Sequence, residues 1–312
     1  ADDGITLTDC ILEGLANNNS TVKSVCLADY MYSSGSRRSS LQSFLGLNEG
    51  VTTLECVSDI PTVATALIDG LQYNCRPREV RVTNMTEQAS VAFFSGFGTA
   101  NNVSTLEVTN CCVTGQALCP FVHGIRKNTE IRCLAIGLGE DIELSEFLMQ
   151  CLAPALMNHP SLREISIQDV ENVFDHVGAS ALGDALTQNT SLEKVTLQSQ
   201  EITDNAAMFL SVRIPSCHFI KSLTLVGELR EAGKQWIAEK LQENFSLTEL
   251  CFDPCDEQSP AEKQIQHLLQ RNQKIESSKR VVPVNASFFT SRCKRTSVVS
   301  PAPESLNPVE LL

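Results

Sequence analysis

Histidine and cysteine are the side chains best able to hold a metal or act as nucleophiles, so their spacing is read first. The five histidines, His123, His159, His176, His218 and His267, are scattered along the chain. None stands with Cys, Asp or Glu at metal-ligand spacing. Cys251 and Cys255 are four apart, but no second pair follows them, so a zinc site is not expected. Cys111-Cys112 near Cys119 reads as core packing rather than redox chemistry. GFG at 96–98 and GLG at 137–139 lack the continuation of a phosphate-binding loop. No catalytic centre, metal or cofactor is therefore expected, and the chain is read as a non-enzyme. Ser40 follows Arg37-Arg38 and Ser297 follows Lys294-Arg295. Both resemble targets of basic-directed kinases, where phosphate would cancel local positive charge; the plainer reading is a solvated loop and a solvated tail.

What remains is electrostatic recognition. Glu55, Glu79, Arg81, Glu107, Glu164, Lys194, Glu249 and Asp253 are the candidate partner-binding residues, because they share a position class in a repeat. The pattern is an apolar residue, two free positions, an apolar residue, one free position and a further apolar residue. It starts at 22, 51, 77, 103, 131, 162, 192, 220 and 247, with starts 26 to 31 residues apart. Such self-similarity is the mark of a solenoid.

Each copy predicts a short strand whose last two apolar positions point into a core. Upstream, apolar residues four apart predict a helix face, as in Phe93/Phe97, Phe121/Ile125, Leu152/Leu156, Leu182/Leu186 and Ile237/Leu241. Leu67/Leu71 and Leu41/Leu45 continue the series. Asn recurs three residues before the strand, at Asn19, Asn48, Asn74, Asn128, Asn189 and Asn244, while His159 and Cys217 depart from the rule. Asn tolerates the left-handed conformation that ends a helix, which is the expected reason. Thr203-Asp204 and Ser259-Pro260-Ala261-Glu262 read as helix starts, the second with capping-box spacing. Pro61 reads as a first-turn proline.

Strand-helix units cannot bury their apolar faces alone, but stacked copies can. Helices need about 10 Å of width against roughly 4.8 Å between paired strands. The stack must bend, with the strands inside. The expected fold class is therefore an α/β solenoid, a horseshoe of about nine strand-helix repeats with a parallel sheet on its concave face. It spans 1–276, with a capping helix around AEKQIQHLLQRNQKI in which Ile265, Leu268, Leu269 and Ile275 face inward. The Ser-, Pro- and Val-rich stretch 277–312 lacks periodicity and is expected to be disordered. The segment 31–43 reads as an inter-repeat insertion.

The phrases LAPALMNHPSLREISI, LGDALTQNTSLEKVTLQSQEITDNAA and IAEKLQENFSLTELCF resemble the ribonuclease-inhibitor-like class of leucine-rich repeats. The resemblance covers roughly 5–275 and is strongest at 150–255. It implies units with a full helix each and a strand-lined concave face. The class's Asn or Cys beyond the strand core is present at Cys111 and Cys255, whereas Tyr30, Gly139, Val170, Gln200 and Glu228 stand near that place in other copies.

Composition narrows the function. The net charge of −13 argues against nucleic acid or an anionic membrane as partner. No apolar run reaches the length of a transmembrane helix. Aromatics at 5% imply an aliphatic core. Thirteen cysteines without a CxxC pair read as reduced, buried, small apolar residues. The opening ADDGITLTDC lacks a signal-peptide pattern, so a cytoplasmic location is expected, with the nucleus as the other possibility. Sequons stand at Asn19, Asn84, Asn102, Asn189, Asn244 and Asn285; several of them, such as Asn189 and Asn244, fall at the repeat corner, so geometry explains them better than glycosylation.

Strand positions between the core residues must form the concave surface. They run from Ser24, Cys26 and Ala28 in the first copy to Glu249, Cys251 and Asp253 in the last. The face is small, polar and acidic, and Arg81 is its one residue of a hot-spot type. The expected function is a protein-protein interaction or scaffold module, and a partner with a basic surface would suit its acidic side chains. Two alternatives stay open: a leucine-rich-repeat GTPase-activating regulator, and a sensor fragment of a larger receptor or ubiquitin-ligase adaptor. An unoccupied, solvated sheet of strand-forming Thr and Ser is the plain counter-reading.

Overall fold

The computed structural model describes residues 22–28, 44–45, 50–73, 77–100, 102–139, 142–253 and 259–280. Ser40, Ser297, Cys255, the insertion 31–43, corner residues Asn19, Asn48 and Asn74, and the tail beyond 280 lie outside them.

Every one of the nine repeated segments forms a strand: β1 (Ser24–Ala28), β2 (Thr53–Val57), β3 (Glu79–Thr83), β4 (Thr105–Thr109), β5 (Cys133–Gly137), β6 (Glu164–Gln168), β8 (Lys194–Ile202), β9 (Ser222–Leu229) and β10 (Glu249–Phe252). All neighbours pair in parallel in one sheet, in chain order. The architecture is a leucine-rich-repeat-type solenoid with an open sheet. Two strands run longer than the motif predicts. Beyond a register irregularity between Gln198 and Glu201, β8 pairs again with β9. A two-residue β7 (Val173–Phe174) joins its far end. Gly227 makes this possible: at φ 144° it adopts a backbone that other residues avoid, and a Cβ there would meet the Ser199 carbonyl oxygen at 2.5 Å.

Between the strands run α1 (Pro61–Tyr73), α2 (Glu87–Phe97), α3 (Leu118–Lys127), α4 (Leu144–Phe147) and α5 (Ala153–Leu156). Then come α6 (His176–Gln188), α7 (Asp204–Arg213), α8 (Glu231–Leu241) and α9 (Pro260–Arg280). A π turn, Leu148–Leu152, joins α4 to α5. The predicted helix faces are buried throughout, from Leu67 and Leu71 to Ile237 and Leu241. Strand core positions such as Leu54, Val80, Leu106, Ile165 and Leu197 are fully buried opposite them.

The core is mostly aliphatic, as expected, but aromatics cluster within it. Phe44, Phe93, Phe94, Phe97, Phe121, Phe147 and Phe174 are all fully buried. Phe94 and Phe121 meet edge to face with centroids 4.9 Å apart, and Phe121 continues to Phe147 at 6.0 Å. Five of these, Phe93, Phe94, Phe97, Phe121 and Phe147, sit on the inward faces of three successive helices, so a small total of aromatics fills several repeats. Helices α2 and α3 approach closely because Gly124 lies under the Phe94 carbonyl, 2.5 Å from where a Cβ would stand.

The reason given for the corner asparagines is corrected. Asn128 (φ −77°) and Asn189 (φ −90°) are extended, not left-handed. They are conserved in position along the stack for their amides. Asn189 donates to the Leu156 carbonyl of the preceding repeat at 2.7 Å and accepts from the N–H groups of Ser191 and Leu192 at 2.8 and 2.7 Å. Asn128 and Asn244 repeat the arrangement. All three are buried, where an unpaired backbone group is costly. His159 does the same work with an imidazole. Its Nε2 lies 3.0 Å from the Ile125 carbonyl, and its Nδ1 accepts from Ser161 and Leu162. Burial lowers its pKa below 6.5, in keeping with a neutral ring.

The helix starts agree with expectation. Thr203 caps α7 through the Ala206 N–H at 3.1 Å. Ser259 and Glu262 exchange both bonds of a capping box at the start of α9. In α9, Ile265, Leu268 and Leu269 are buried while Ile275 is only half-buried. The helix continues to Arg280, past the boundary placed at 276. Asn272 there extends the corner ladder, donating to the Asn244 and Leu247 carbonyls. The stack is closed further by a buried ion pair, Lys234 to Glu262 at 2.6 Å.

The nine described cysteines are free thiols. Cys56, Cys111, Cys151 and Cys217 are buried as expected, but Cys26, Cys119 and Cys251 are exposed. Burial pushes Cys111 up to about 11, and Cys151 and Cys217 up to about 12.

Candidate partner-binding surface

Parallel pairing with constant register turns the outward strand positions into three continuous rows. The first runs Ser24, Thr53, Glu79, Thr105, Cys133, Glu164, Lys194, Ser222, Glu249. The second runs Cys26, Glu55, Arg81, Glu107, Ala135, Ser166, Thr196, Thr224, Cys251. The third begins Ala28, Val57, Thr83, Thr109, Gly137, Gln168. Successive strands lie about 4.8 Å apart, so a side chain meets its counterpart from a residue 26 to 31 places away.

This brings the candidate residues into three groups. Over β2 to β4, Glu55, Glu79, Arg81 and Glu107 cluster. Arg81 donates from Nε and Nη2 to one oxygen of Glu79, at 3.0 and 2.7 Å, and its Nε lies 3.2 Å from Glu107. The hydrogen bond to Glu79, with the charges of Glu79 and Glu107, raises the Arg81 pKa above its ordinary value. The other Glu79 oxygen accepts from Thr53 at 3.3 Å. Glu55 makes no hydrogen bond or ion pair among the described residues. Three carboxylates around one guanidinium leave this cluster two negative charges.

The second group is a pair. Glu164 and Lys194 lie 2.7 Å apart across β6 and β8, and this bond raises the Lys194 pKa. The third is the end of the stack. Glu249 accepts from the Ser222 hydroxyl at 2.7 Å, and Asp253 accepts from the Gly227 N–H at 2.9 Å. The neutral strand β5, carrying Cys133, Ala135 and Gly137, separates the first group from the second.

Sequence reasoning passed over one further row. The residues immediately before the strands run Lys23, Thr52, Arg78, Ser104, Arg132, Arg163, Glu193, Lys221, Thr248. Each but the last accepts at its carbonyl from the N–H of the next along the stack, at 2.7 to 2.9 Å. The signal was present, at one fixed place ahead of each strand, but lay outside the alternation used to choose surface positions.

The histidines and thiols are dispersed. His159 belongs to the buried ladder, and the His176 ring packs on Phe209 at 5.7 Å. Cys119 and His123 line a shallow hollow of about 630 Å³ on the helical side, with Leu118, Val122, Arg126, Lys127 and Gln150. Among the described residues, no group of three or more His, Cys, Asp or Glu is placed to hold a metal ion, and no helix is long and apolar enough to cross a membrane. The sequon residues Asn189 and Asn244 have buried amides committed to the ladder.

No family model matches the chain, and no curated protein matches it. Among solved structures, the chain is similar to Leiomodin-1 Actin-Binding Site 2, at 18% identity over 51% of this chain and 91% of that one, with a TM-score of 0.45. It is also similar to a tropomodulin C-terminal domain from Caenorhabditis elegans, at 8% identity over 88% of this chain and 98% of that one, with a TM-score of 0.20. The solenoid assignment rests on the strand ladder itself.

Proposed function

We propose that this chain is a non-catalytic protein-binding module of the ribonuclease-inhibitor-like class of leucine-rich repeats, which engages a partner's basic surface on its concave sheet. Units of 26 to 31 residues, in which a helix returns the chain to the next parallel strand, support the class. The carrying observation is the cluster on β2 to β4: three carboxylates, Glu55, Glu79 and Glu107, held in solvent around the single cation Arg81. Glu79 and Arg81 are about a third to a half exposed, so a partner's lysine or arginine can share these carboxylates without the cost of a buried charge. The neutral Glu164–Lys194 pair orients the partner by offering one charge of each sign. Glu249 and Asp253 extend the acidic character to the far end of the arc. The module works in the cytoplasm or the nucleus.

Charge reversal tests this directly. Glu55→Lys with Glu107→Lys replaces two carboxylates by ammonium groups at outward positions, where folding is insensitive to the change. Partner recovery by affinity purification should fall at least roughly tenfold, as expected when like charges are brought together at a contact. Undiminished recovery rejects the concave cluster as the site.

A further inference from the structure

The row ahead of the strands carries charge of the opposite sign to the sheet beside it. Lys23, Arg78, Arg132, Arg163 and Lys221 are cations, and Glu193 is the row's one carboxylate. That is a surplus of four positive charges on a chain of net −13. Helix dipoles do not account for it. They favour acids at helix starts, where Glu87, Glu146, Asp204, Glu231 and Glu262 stand, and bases at helix ends, where Arg126, Lys127, Arg213 and Lys240 stand. The rim cations follow the helices and lie at the strand starts instead.

The uncharged rungs bond to the backbone beside them. Thr52, Ser104 and Thr248 donate their hydroxyls to the carbonyls of Lys23, Arg78 and Lys221 at 3.2 to 3.3 Å. The cations between them are exposed. The guanidinium groups of Arg78 and Arg132 make no hydrogen bond or ion pair with any described residue. Arg163 and Lys221 share the single carboxylate of Glu193, at 2.9 and 2.8 Å.

We propose that this rim is a second recognition surface, holding an extended acidic peptide segment laid across the strand starts from β3 to β9. Arg78 and Arg132 are two strands apart, as are Arg163 and Lys221. Two strand spacings come to about 9.6 Å, and an extended peptide advances about 3.3 Å per residue. Arg132 and Arg163 lie on adjacent strands, one spacing of about 4.8 Å apart. The matching segment therefore carries two pairs of acids, about three positions apart within each pair and one or two positions apart between the pairs. Arginine suits the role because its planar fork binds a carboxylate with two parallel bonds. A long polyanion is disfavoured because its further charges meet the acidic body of the chain; a short segment meets only the rim.

The test uses the whole chain and a fluorescein-labelled peptide of about fifteen Gly and Ser residues carrying four Glu, as two pairs three positions apart within each pair and one or two between pairs, followed by fluorescence anisotropy at low and physiological salt. Saturable binding that weakens with salt is expected. Arg132→Glu should reduce it roughly fivefold or more, and Arg132→Gln less. Arg230→Glu makes the same charge change among the helix starts and should leave binding within about twofold. Glu55→Lys with Glu107→Lys, which tests the concave cluster, should not weaken it, so the two surfaces stand or fall separately. The proposal is overturned if the peptide does not saturate, if Arg230→Glu matches Arg132→Glu, or if a peptide of the same composition with its acids in one block binds equally well. Equal binding of a single-stranded oligonucleotide also overturns it, as does salt-sensitive self-association, seen by sedimentation, that Arg132→Glu abolishes.

Discussion

Replacing His159 by Ala removes three hydrogen bonds at once from the buried corner ladder. The ring bridges the Ile125 carbonyl of the preceding repeat at 3.0 Å and the N–H groups of Leu162 and Ser161 at 3.2 and 3.4 Å. Each such bond contributes about 1 kcal/mol net, and a buried group left without a partner costs about 1–3 kcal/mol. Discounting the long bond to Ser161, His159→Ala should lose about 2–4 kcal/mol at neutral pH. His159→Asn should stay within about 1 kcal/mol of the parent, because Asn128 and Asn189 make the same bonds from the equivalent corner. The pH dependence is sharper still. Burial holds the folded pKa of His159 below 6.5. Between those two values the unfolded chain binds a proton that the folded chain refuses. Stability is then unaffected above about pH 7 and falls as pH drops through 6.5, by at most about 1.4 kcal/mol per pH unit for this one group. Urea unfolding of parent and His159→Asn at pH 7.5 and 5.5, followed by circular dichroism, isolates the effect, because the other histidines are common to both. The parent should lose more than the variant on acidification. Equal losses, or a parent that gains relative to His159→Asn at low pH, would refute the neutral-ring assignment.

Other consequences are checked more simply. Gly124→Ala should lower the melting temperature markedly, by a loss of about 2 kcal/mol or more, because the added methyl meets the backbone oxygen of Phe94 rather than a yielding side chain. Lys234→Met and Glu262→Met should each cost about 3–5 kcal/mol, while the two changes together cost much less than their sum. A double-mutant cycle in urea reads this coupling. The bond from Lys234 holds the Glu262 pKa below 4.5, so this stabilisation is present above that pH and lost as pH falls below it. Timed thiol labelling with peptide mapping should modify Cys119 and Cys251 first. Cys26 should follow more slowly, its thiolate disfavoured by burial and by Glu55. Cys111, Cys151 and Cys217 should resist until the chain unfolds. Early labelling of any of these three contradicts their buried placement.

The readings that held share a physical character. Period-two alternation and helix faces four residues apart are set by backbone geometry, so the segments from VKSVCL to LTELCF could be recognised one by one. Constant phase then dictated which outward residues share a row, and the register bears this out from Ser24 against Thr53 to Cys251 against Thr224. Thr203 and the Ser259–Glu262 box were equally legible, because a cap bonds only within its own turn.

What the chain order hides is decided between repeats. Asn189 and His159 look unlike in sequence, yet both satisfy a neighbouring repeat about thirty residues upstream. Their shared role emerges only when the stack brings that carbonyl within reach. The same is true of charge. Glu79, Arg81 and Glu107 count as separate ions along the chain, and become one network once parallel strands lie side by side. Composition told how few aromatics there are, but not that Phe94, Phe121 and Phe147 would meet in one interior. Local periodicity specifies the unit, since its forces act within a few residues. Partners, pairings and rims belong to the stack, since only packing sets distances between residues far apart in the chain.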